Sequence, residues 1–384
     1  MDLKNNINKR LLTMEQSAIR AFNGTAVKEG AKYFLTLGEP DFDTPNEIKE
    51  ECYVALKKGM TKYGHTLGSI DFRNKICEFE KKLNGIDYTA DEVVVTNGAT
   101  EAITSAIFTI VNEGDEVIVP IPAFTLYESV IKFAGGKFVP LDFTKDDFQL
   151  TKEALDSVIT EKTKAIIINS PNNPTGCMLN EQSLENLYNA VKGKDIFVIC
   201  DDVYNQLVYG KKDVGFVKYR DIKDQIIVCQ SFSKPYAMPG WRLGYLLASP
   251  EFCENASKVH QYMVTAVNTF IQPAGIVALS CDVTPFINSY KERRDYVLDR
   301  LNKMNLSVVK PEGAFYVFPS ITEFNMTSYD FCYKFLVEKK VALIPGSCFG
   351  TEGNVRISYC VDRKVIEKAM DLLEEFVNEL RTQK

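Results

Sequence analysis

The chain has 384 residues, of which 45% are hydrophobic and 25% charged, with a formal net charge of -6. Single cores stop growing at roughly 250 to 300 residues, so this length predicts two domains. The excess of acid leaves no electrostatic case for a nucleic acid or an anionic membrane as partner.

The N-terminal stretch MDLKNNINKRLLTMEQSAIRAF mixes charges with isolated apolar residues and lacks the apolar run of a signal peptide. No later segment reaches the ~18 consecutive apolar residues of a membrane span. From about residue 91 to 250, short apolar runs alternate with helical periodicity. EVVVTNGATEAITSAIFTIV reads as strand, turn and helix, DEVIVP as a strand, and FTLYESVIKFAGG as an amphipathic helix. KFVPLDF, the helix TKEALDSVI, the buried run KAIIINSP and the helix EQSLENLYNAVKG follow, and then the strands DIFVICDD, QIIVCQSF and RLGYLLAS. Strands separated by helices predict βαβ units and a mostly parallel sheet covered on both faces, the α/β class.

After about residue 250 the pattern changes to long helices, ENASKVHQYMVTAV and NSYKERRDYVLDRLNKM, and an expected antiparallel pair within LSVVKPEGAFYVFPSI. The helix SYDFCYKFLVEKK, the strands VALIPG and NVRISYC and a charged amphipathic helix complete a smaller α+β domain. The expected division is a large domain over 46-274 and a small one built from 1-45 and 275-384. The ten cysteines are scattered without a C-x-x-C pair, and Cys200 and Cys229 stand inside apolar runs. That usage predicts reduced core cysteines in a cytoplasmic protein. With only His65 and His260 present, no metal site is expected.

In an open parallel sheet, ligands bind outside the carboxyl ends of the strands. Polar residues gather at those ends. TNGAT, residues 96 to 100, opens a helix and offers Gly98, Ala99 and Thr100 to a phosphate, although such a turn is also a plain tight connection. Neither G-x-G-x-x-G nor a nucleotide-binding G-x-x-x-x-G-K-[ST] loop is present. In SPNNPTG, Asn173 precedes Pro174 and is held extended over its strand end. Asp201 directly follows the buried IFVIC and needs a cation or a capping role to be tolerated. Ser231, Ser233 and Lys234 follow IIVCQ. A lysine in a partly desolvated pocket near other cations loses its proton more easily and becomes a nucleophile toward carbonyls.

SPNNPTG, DDVY, SFSKPYAMPGWRLGY and RISYC, in this order, resemble the class I/II pyridoxal-phosphate aminotransferases of fold type I, in their aspartate aminotransferase Ib-like branch. The resemblance runs from LTLGEPDFDTP to the final helix. It implies pyridoxal 5'-phosphate as cofactor, with Lys234 holding it and then moving a proton at the substrate Cα, and Asp201 pairing with the ring nitrogen. Tyr204 and Asn173 match the pair that bonds the phenolic oxygen, and Phe124 falls where a stacking tyrosine or tryptophan is usual, without the hydrogen bond those rings can make. Ala99, Thr100, Ser231, Ser233 and Arg242 match the phosphate cup; the position of Ser231 is often glycine in relatives. Tyr63 matches a tyrosine that reaches the neighbouring subunit's phosphate, implying a homodimer. Arg356 matches the α-carboxylate receptor and Gly38 the close backbone approach beside it.

The implied reaction is ping-pong transamination between an L-amino acid and a 2-oxo acid, with 2-oxoglutarate as acceptor. KVHQYMVTAV and VVKPEGAFYVFPSI resemble a subgroup holding aromatic and N-acetyl-diaminopimelate aminotransferases. An aromatic or broad-specificity donor is the expectation, with Phe22, Tyr127 and Phe349 as candidates for an apolar pocket. N-acetyl-LL-diaminopimelate or aspartate specificity and C-S β-lyase chemistry remain alternatives, because fold alone does not settle reaction. A dicarboxylic substrate needs a second cation, and none is identifiable from the sequence.

Overall fold

The computed structural model describes residues 6-12, 14-210 and 214-383, so the start of the N-terminal stretch lies outside the described residues. After the short β1 (Tyr33–Phe34), seven strands join in one sheet: β2 (Val93–Thr96), β3 (Glu116–Ile121), β4 (Lys137–Asp142), β5 (Thr163–Asn169), β6 (Phe197–Asp201), β7 (Ile226–Ser231) and β8 (Gly244–Leu247). Their order is β2-β8-β7-β6-β5-β3-β4. All are parallel except β8, which runs antiparallel to both β2 and β7.

The apolar runs lack visible alternation because both faces are covered, yet the period of two is kept in space. Val94, Ile167 and Ile199 enter one core with Ile103 and Ile107 of the helix Ala99–Ile110. Val93, Val95, Ile166, Ile168 and Val198 enter the other. The helix expected from Glu254 begins earlier, at Pro250, because Ser249 caps it: its hydroxyl accepts from the Phe252 N-H, and proline suits the first turn.

The remaining strands are β9 (Tyr316–Val317), β10 (Val341–Ala342), β11 (Ile344–Pro345) and β12 (Val355–Ser358). β12 is the centre of an antiparallel sheet, β11-β12-β9, while β10 pairs in parallel with β1 through Tyr33 and Val341. Two expectations need correction. VALIPG is two strands separated by Leu343, each with a different partner. The stretch from Leu306 to Ile321 forms no strand ladder with itself, and its ends meet in a backbone hydrogen bond from the Ser320 N-H to the Ser307 carbonyl at 2.8 Å. Its turn is occupied elsewhere: the N-H groups of Glu312 and Gly313 donate to the Gly176 carbonyl, and that of Ala314 donates to Leu207. Tyr316–Val317 therefore pairs with β12.

Candidate active site

Strand register places the polar strand ends side by side. Asn169 ends β5 opposite Asp201 at the end of β6, while Ser231 of β7 and Thr96 of β2 flank Gly244 of β8. Above this edge lies a cavity of about 440 Å³. It is lined by Gly38, Ala99, Thr100, Phe124, Asn173, Asp201, Tyr204, Ser231, Ser233, Lys234, Arg242 and Arg356, so of the residues expected to hold the cofactor or the α-carboxylate only Gly98 and Tyr63 are not among its lining.

Asp201 is 4% exposed. Its Oδ2 accepts from the Tyr127 hydroxyl at 2.5 Å and its Oδ1 from the Val203 N-H at 3.4 Å. Burial pushes the carboxyl up to about 6, against the pull of those hydrogen bonds and of Lys234. Tyr127 is thus a partner of the acid, with its hydroxyl committed there, rather than only an apolar wall. Asn169 was not singled out from the sequence, yet it ties two loops together. Its Nδ2 donates to the Asp201 carbonyl at 2.8 Å, and its Oδ1 accepts from the Asn173 N-H at 2.8 Å.

Lys234 stands on the turn that leaves β7, and its Nζ donates to the Gly38 carbonyl. Burial lowers its amine to about 8; Glu39 opposes the shift, and Arg356 and Arg242 add to it. Gly38 is required by crowding, since a Cβ there would lie 2.7 Å from the Tyr316 hydroxyl oxygen.

The anion cup begins at Gly98, which caps the helix Ala99–Ile110 with a positive φ of 76°. The first intrahelical bonds run from the Glu101 and Ala102 N-H groups to the Gly98 carbonyl, so the Ala99 and Thr100 N-H groups stand ahead of the ladder, at the positive end of the dipole. Arg242 lies across this turn, its Nη1 donating to the Pro239 carbonyl at 2.9 Å and its Nη2 3.1 Å from where a Gly98 Cβ would sit. From below, β8 approaches so closely that a Cβ on Gly244 would fall 2.5 Å from the Gln230 carbonyl oxygen and 2.9 Å from the Ala99 nitrogen. The Ser231 hydroxyl accepts from the Ser233 N-H at 3.0 Å and keeps its own proton available. Backbone N-H groups, hydroxyls and one guanidinium form a donor set suited to a phosphate, and the buried Asp201 supplies an acceptor suited to a cationic ring nitrogen.

Arg356, in the middle of β12, is 2% exposed. Its Nη1 donates to Asn173 Oδ1 at 2.9 Å and its Nη2 to the Thr36 carbonyl at 2.7 Å, while its Nε is buried without a partner. The guanidinium lies between the rings of Tyr316, at 4.5 Å, and Phe349, at 5.0 Å. Phe349 therefore supports the arginine and is not among the cavity-lining residues. Phe22 packs edge-on against Tyr329 and does not line the cavity either. Tyr316 was read only as part of a strand; its hydroxyl meets that of Tyr204 at 3.0 Å. Tyr63 is 89% exposed and outside the cavity of its own chain.

A family model described as aminotransferase class I and II matches residues 32-373. The chain is 38% identical to a probable N-acetyl-LL-diaminopimelate aminotransferase of Bacillus subtilis, over 97% of this chain and 95% of that one. It is 37% identical to aromatic-amino-acid aminotransferase 2 of Thermococcus litoralis, over 97% of this chain and 98% of that one. Its structure is similar to that of an aspartate aminotransferase from Thermotoga maritima, with a TM-score of 0.93 at 36% identity, covering 97% of this chain and all of the other. The three names differ in substrate and agree in reaction. Members of the family use pyridoxal phosphate. With the match spanning nearly the whole chain and the mostly parallel sheet carrying the site at its carboxyl edge, this protein is a fold type I transaminase and belongs to the class I and II aminotransferases.

Proposed function

We propose that the protein moves the amino group of an L-amino acid, aromatic or of broad specificity, to 2-oxoglutarate in a ping-pong reaction, with pyridoxal 5'-phosphate held in the cavity. The observation that carries this reading is the meeting of Lys234, Asp201 and Arg356 around one cavity. The bound cofactor supplies a carbonyl that takes up the amino group and a ring that accepts electrons from Cα.

The residues of the chain supply the rest. Asp201, pushed up to about 6 by burial, becomes a stable carboxylate once a ring N-H sits against it, and Tyr127 fixes its orientation. The oxygen of Asn173 faces Arg356, which can only donate, so its amide NH2 is left for the phenolic oxygen beside the Tyr204 hydroxyl. Phe124 gives a ring face for stacking, and Ala99, Thr100, Ser231, Ser233 and Arg242 hold the phosphate. Arg356 receives the α-carboxylate next to Gly38, and Lys234, with an amine near 8, carries the proton to and from Cα at neutral pH. Ile19, Leu37, Ile103 and Leu126 on the cavity wall support an apolar side chain on the donor.

We further propose a homodimer in which Tyr63 reaches the site of the second copy. Its loop is pinned by Thr269, whose hydroxyl donates to the Met60 carbonyl at 2.8 Å, while the Tyr63 side chain extends outward. The proposed large domain over 46-274 would then carry the cofactor, and the small one, 1-45 with 275-384, the substrate carboxylate; pairing of β1 with β10 supports joining the two outer segments. Free cysteines throughout the described residues fit a cytoplasmic location. No helix of the described residues is long and apolar enough to cross a membrane.

The test is to add single amino acids, without any oxo acid, to cofactor-loaded protein and follow its absorbance. Phenylalanine, tyrosine and glutamate should convert the visible band to one near about 330 nm, the aminated cofactor. No conversion, with pyruvate released continuously from cystathionine, would replace the transfer by a lyase reaction.

A further inference from the structure

The helix Ala99–Ile110 carries an acid beside its own anion cup. Glu101 is buried in the first turn, and a carboxylate there repels an anion bound at the same N-terminus. Both of its oxygens are engaged: Oε2 accepts from the Asn97 N-H at 2.5 Å, and Oε1 lies 2.5 Å from Nδ1 of His260. His260 is fully buried on the helix Pro250–Val264, whose Cys253 and Ala256 share a core with Ala102 and Ala106. A carboxylate oxygen accepts, so Nδ1 donates, and Nε2 is left buried without a partner among the described residues. Neither Glu101 nor His260 is among the cavity-lining residues. Whatever this pair does for a ligand, it does through the turn that Glu101 holds.

The N-H groups of that turn can be followed one by one. Of the six from Asn97 to Ala102, four are used inside it: Asn97 donates to Glu101, Gly98 to the Thr96 carbonyl at 2.8 Å, and Glu101 and Ala102 to the Gly98 carbonyl at 3.2 and 3.3 Å. The Thr96 hydroxyl also donates to the Gly98 carbonyl, at 3.1 Å. The two left over belong to Ala99 and Thr100, and both of these residues line the cavity. Gly98 has no side chain with which to cap the helix. Glu101 reaches back in its place, as the acid of a capping box does, but one residue further out.

We infer that His260 and Glu101 are positioning residues for the cofactor phosphate. His260 fixes the Glu101 carboxylate, Glu101 holds the Asn97 N-H, and the turn is thereby set with only the Ala99 and Thr100 N-H groups open to an anion. This rests on the reading of the cavity as a pyridoxal phosphate site, and it requires the ordered turn to outweigh the repulsion between the two anions.

Cofactor-free protein titrated with pyridoxal 5'-phosphate and with pyridoxal, which has the same ring and aldehyde but no phosphate, tests it without turnover. Glu101→Leu and His260→Leu should each weaken binding of the phosphorylated compound about ten-fold or more, the scale of one charge-assisted hydrogen bond, and leave pyridoxal within about two-fold. His260→Asn, whose amide nitrogen falls where Nδ1 stood, should recover most of the loss. Glu101→Gln can accept from Asn97 and donate to the other tautomer of His260, so it should bind the phosphorylated compound at least as tightly as the wild type. Leucine variants that keep wild-type affinity for pyridoxal 5'-phosphate, or that lose both compounds equally, overturn the assignment. A measurement on the unaltered chain stands even if a leucine variant fails to fold. In cofactor-free protein the Asn97 amide should exchange with deuterium slowly, and those of Ala99 and Thr100 quickly until inorganic phosphate is added. A fast Asn97 amide overturns the assignment as well. A wild type with no preference for the phosphorylated compound would instead remove the cofactor reading, and the positioning role with it.

Discussion

Ile166, Ile167, Val198 and Ile199, in the middle of β5 and β6, are at most 1% exposed and lie in the two hydrophobic cores; Asn169 and Asp201, which end the same strands, are nearly as buried and polar. The middle is complete as it stands, because apolar neighbours satisfy apolar side chains. The edge is not. Burial raises Asp201 to about 6 and lowers Lys234 to about 8, so for each the charged form is less stable here than in water until a partner arrives. The difference teaches where this fold keeps its stability and where it keeps its chemistry: the same burial that stabilises the centre makes the edge reactive.

Substitutions can break that comparison from either side. The largest effect is expected at Lys234: Lys234→Ala should remove the visible absorbance of the attached cofactor and lower turnover by about 10²- to 10⁴-fold or more. A variant with a normal spectrum and rate would move the attachment elsewhere. In the middle of the sheet, Ile167→Ala should cost about 2-5 kcal/mol of stability, measured by denaturant titration, at every pH. Cofactor affinity per folded molecule should not change, and a loss there would mean that centre and edge are coupled.

Asp201→Asn should act in the opposite sense on the cofactor-free protein. The folded carboxyl sits at about 6 against an ordinary value of 3.8, so the protonated acid is favoured by folding. Its contribution is present at low pH and is lost as pH rises from about 4 through 6. At pH 7.5 the variant should therefore be more stable by up to about 3 kcal/mol, with the difference gone below about pH 4. The same variant should bind the cofactor less tightly. Equal stability of the two proteins at both pH values would show that Asp201 is not held against its charge. Arg356→Ala should raise KM about 100-fold for every amino acid alike, since all share the α-carboxylate. An increase confined to one substrate would assign Arg356 to side-chain recognition.

The central sheet was legible because strands covered on both faces must be continuous apolar runs, and the site because Asp201, Asn173 and Lys234 interrupt or follow such runs at their carboxyl ends. What escaped the sequence is what depends on distant partners. Tyr127 meets Asp201 across 74 residues, Tyr316 meets Tyr204 across 112, and Arg356 meets Asn173 across 183. No local pattern distinguishes these tyrosines from ordinary core residues. Gly244 could have been suspected, since a glycine inside a strand often marks a close backbone approach. The antiparallel pair expected within residues 306-321 fails for the same reason, because Gly176 and Leu207 take the N-H groups of residues 312-314.

Arg356 holds Thr36 and Asn173 at once, and this has a bearing on synthesis. The residues proposed to hold the cofactor within one chain, from Gly98 to Arg242, form an unbroken middle stretch, while Gly38 and Arg356 stand before and after it. A growing chain thus has all of these proposed cofactor-holding residues before Arg356, proposed to receive the substrate carboxylate, has been made. The last strand to be added, β12, then joins the beginning of the protein to its middle: the Arg356 side chain bridges Thr36 and Asn173, and the Ser358 N-H donates to the Leu35 carbonyl at 2.9 Å. Ribosomal order thereby completes the proposed cofactor cradle before the proposed anchor for the substrate's α-carboxylate exists.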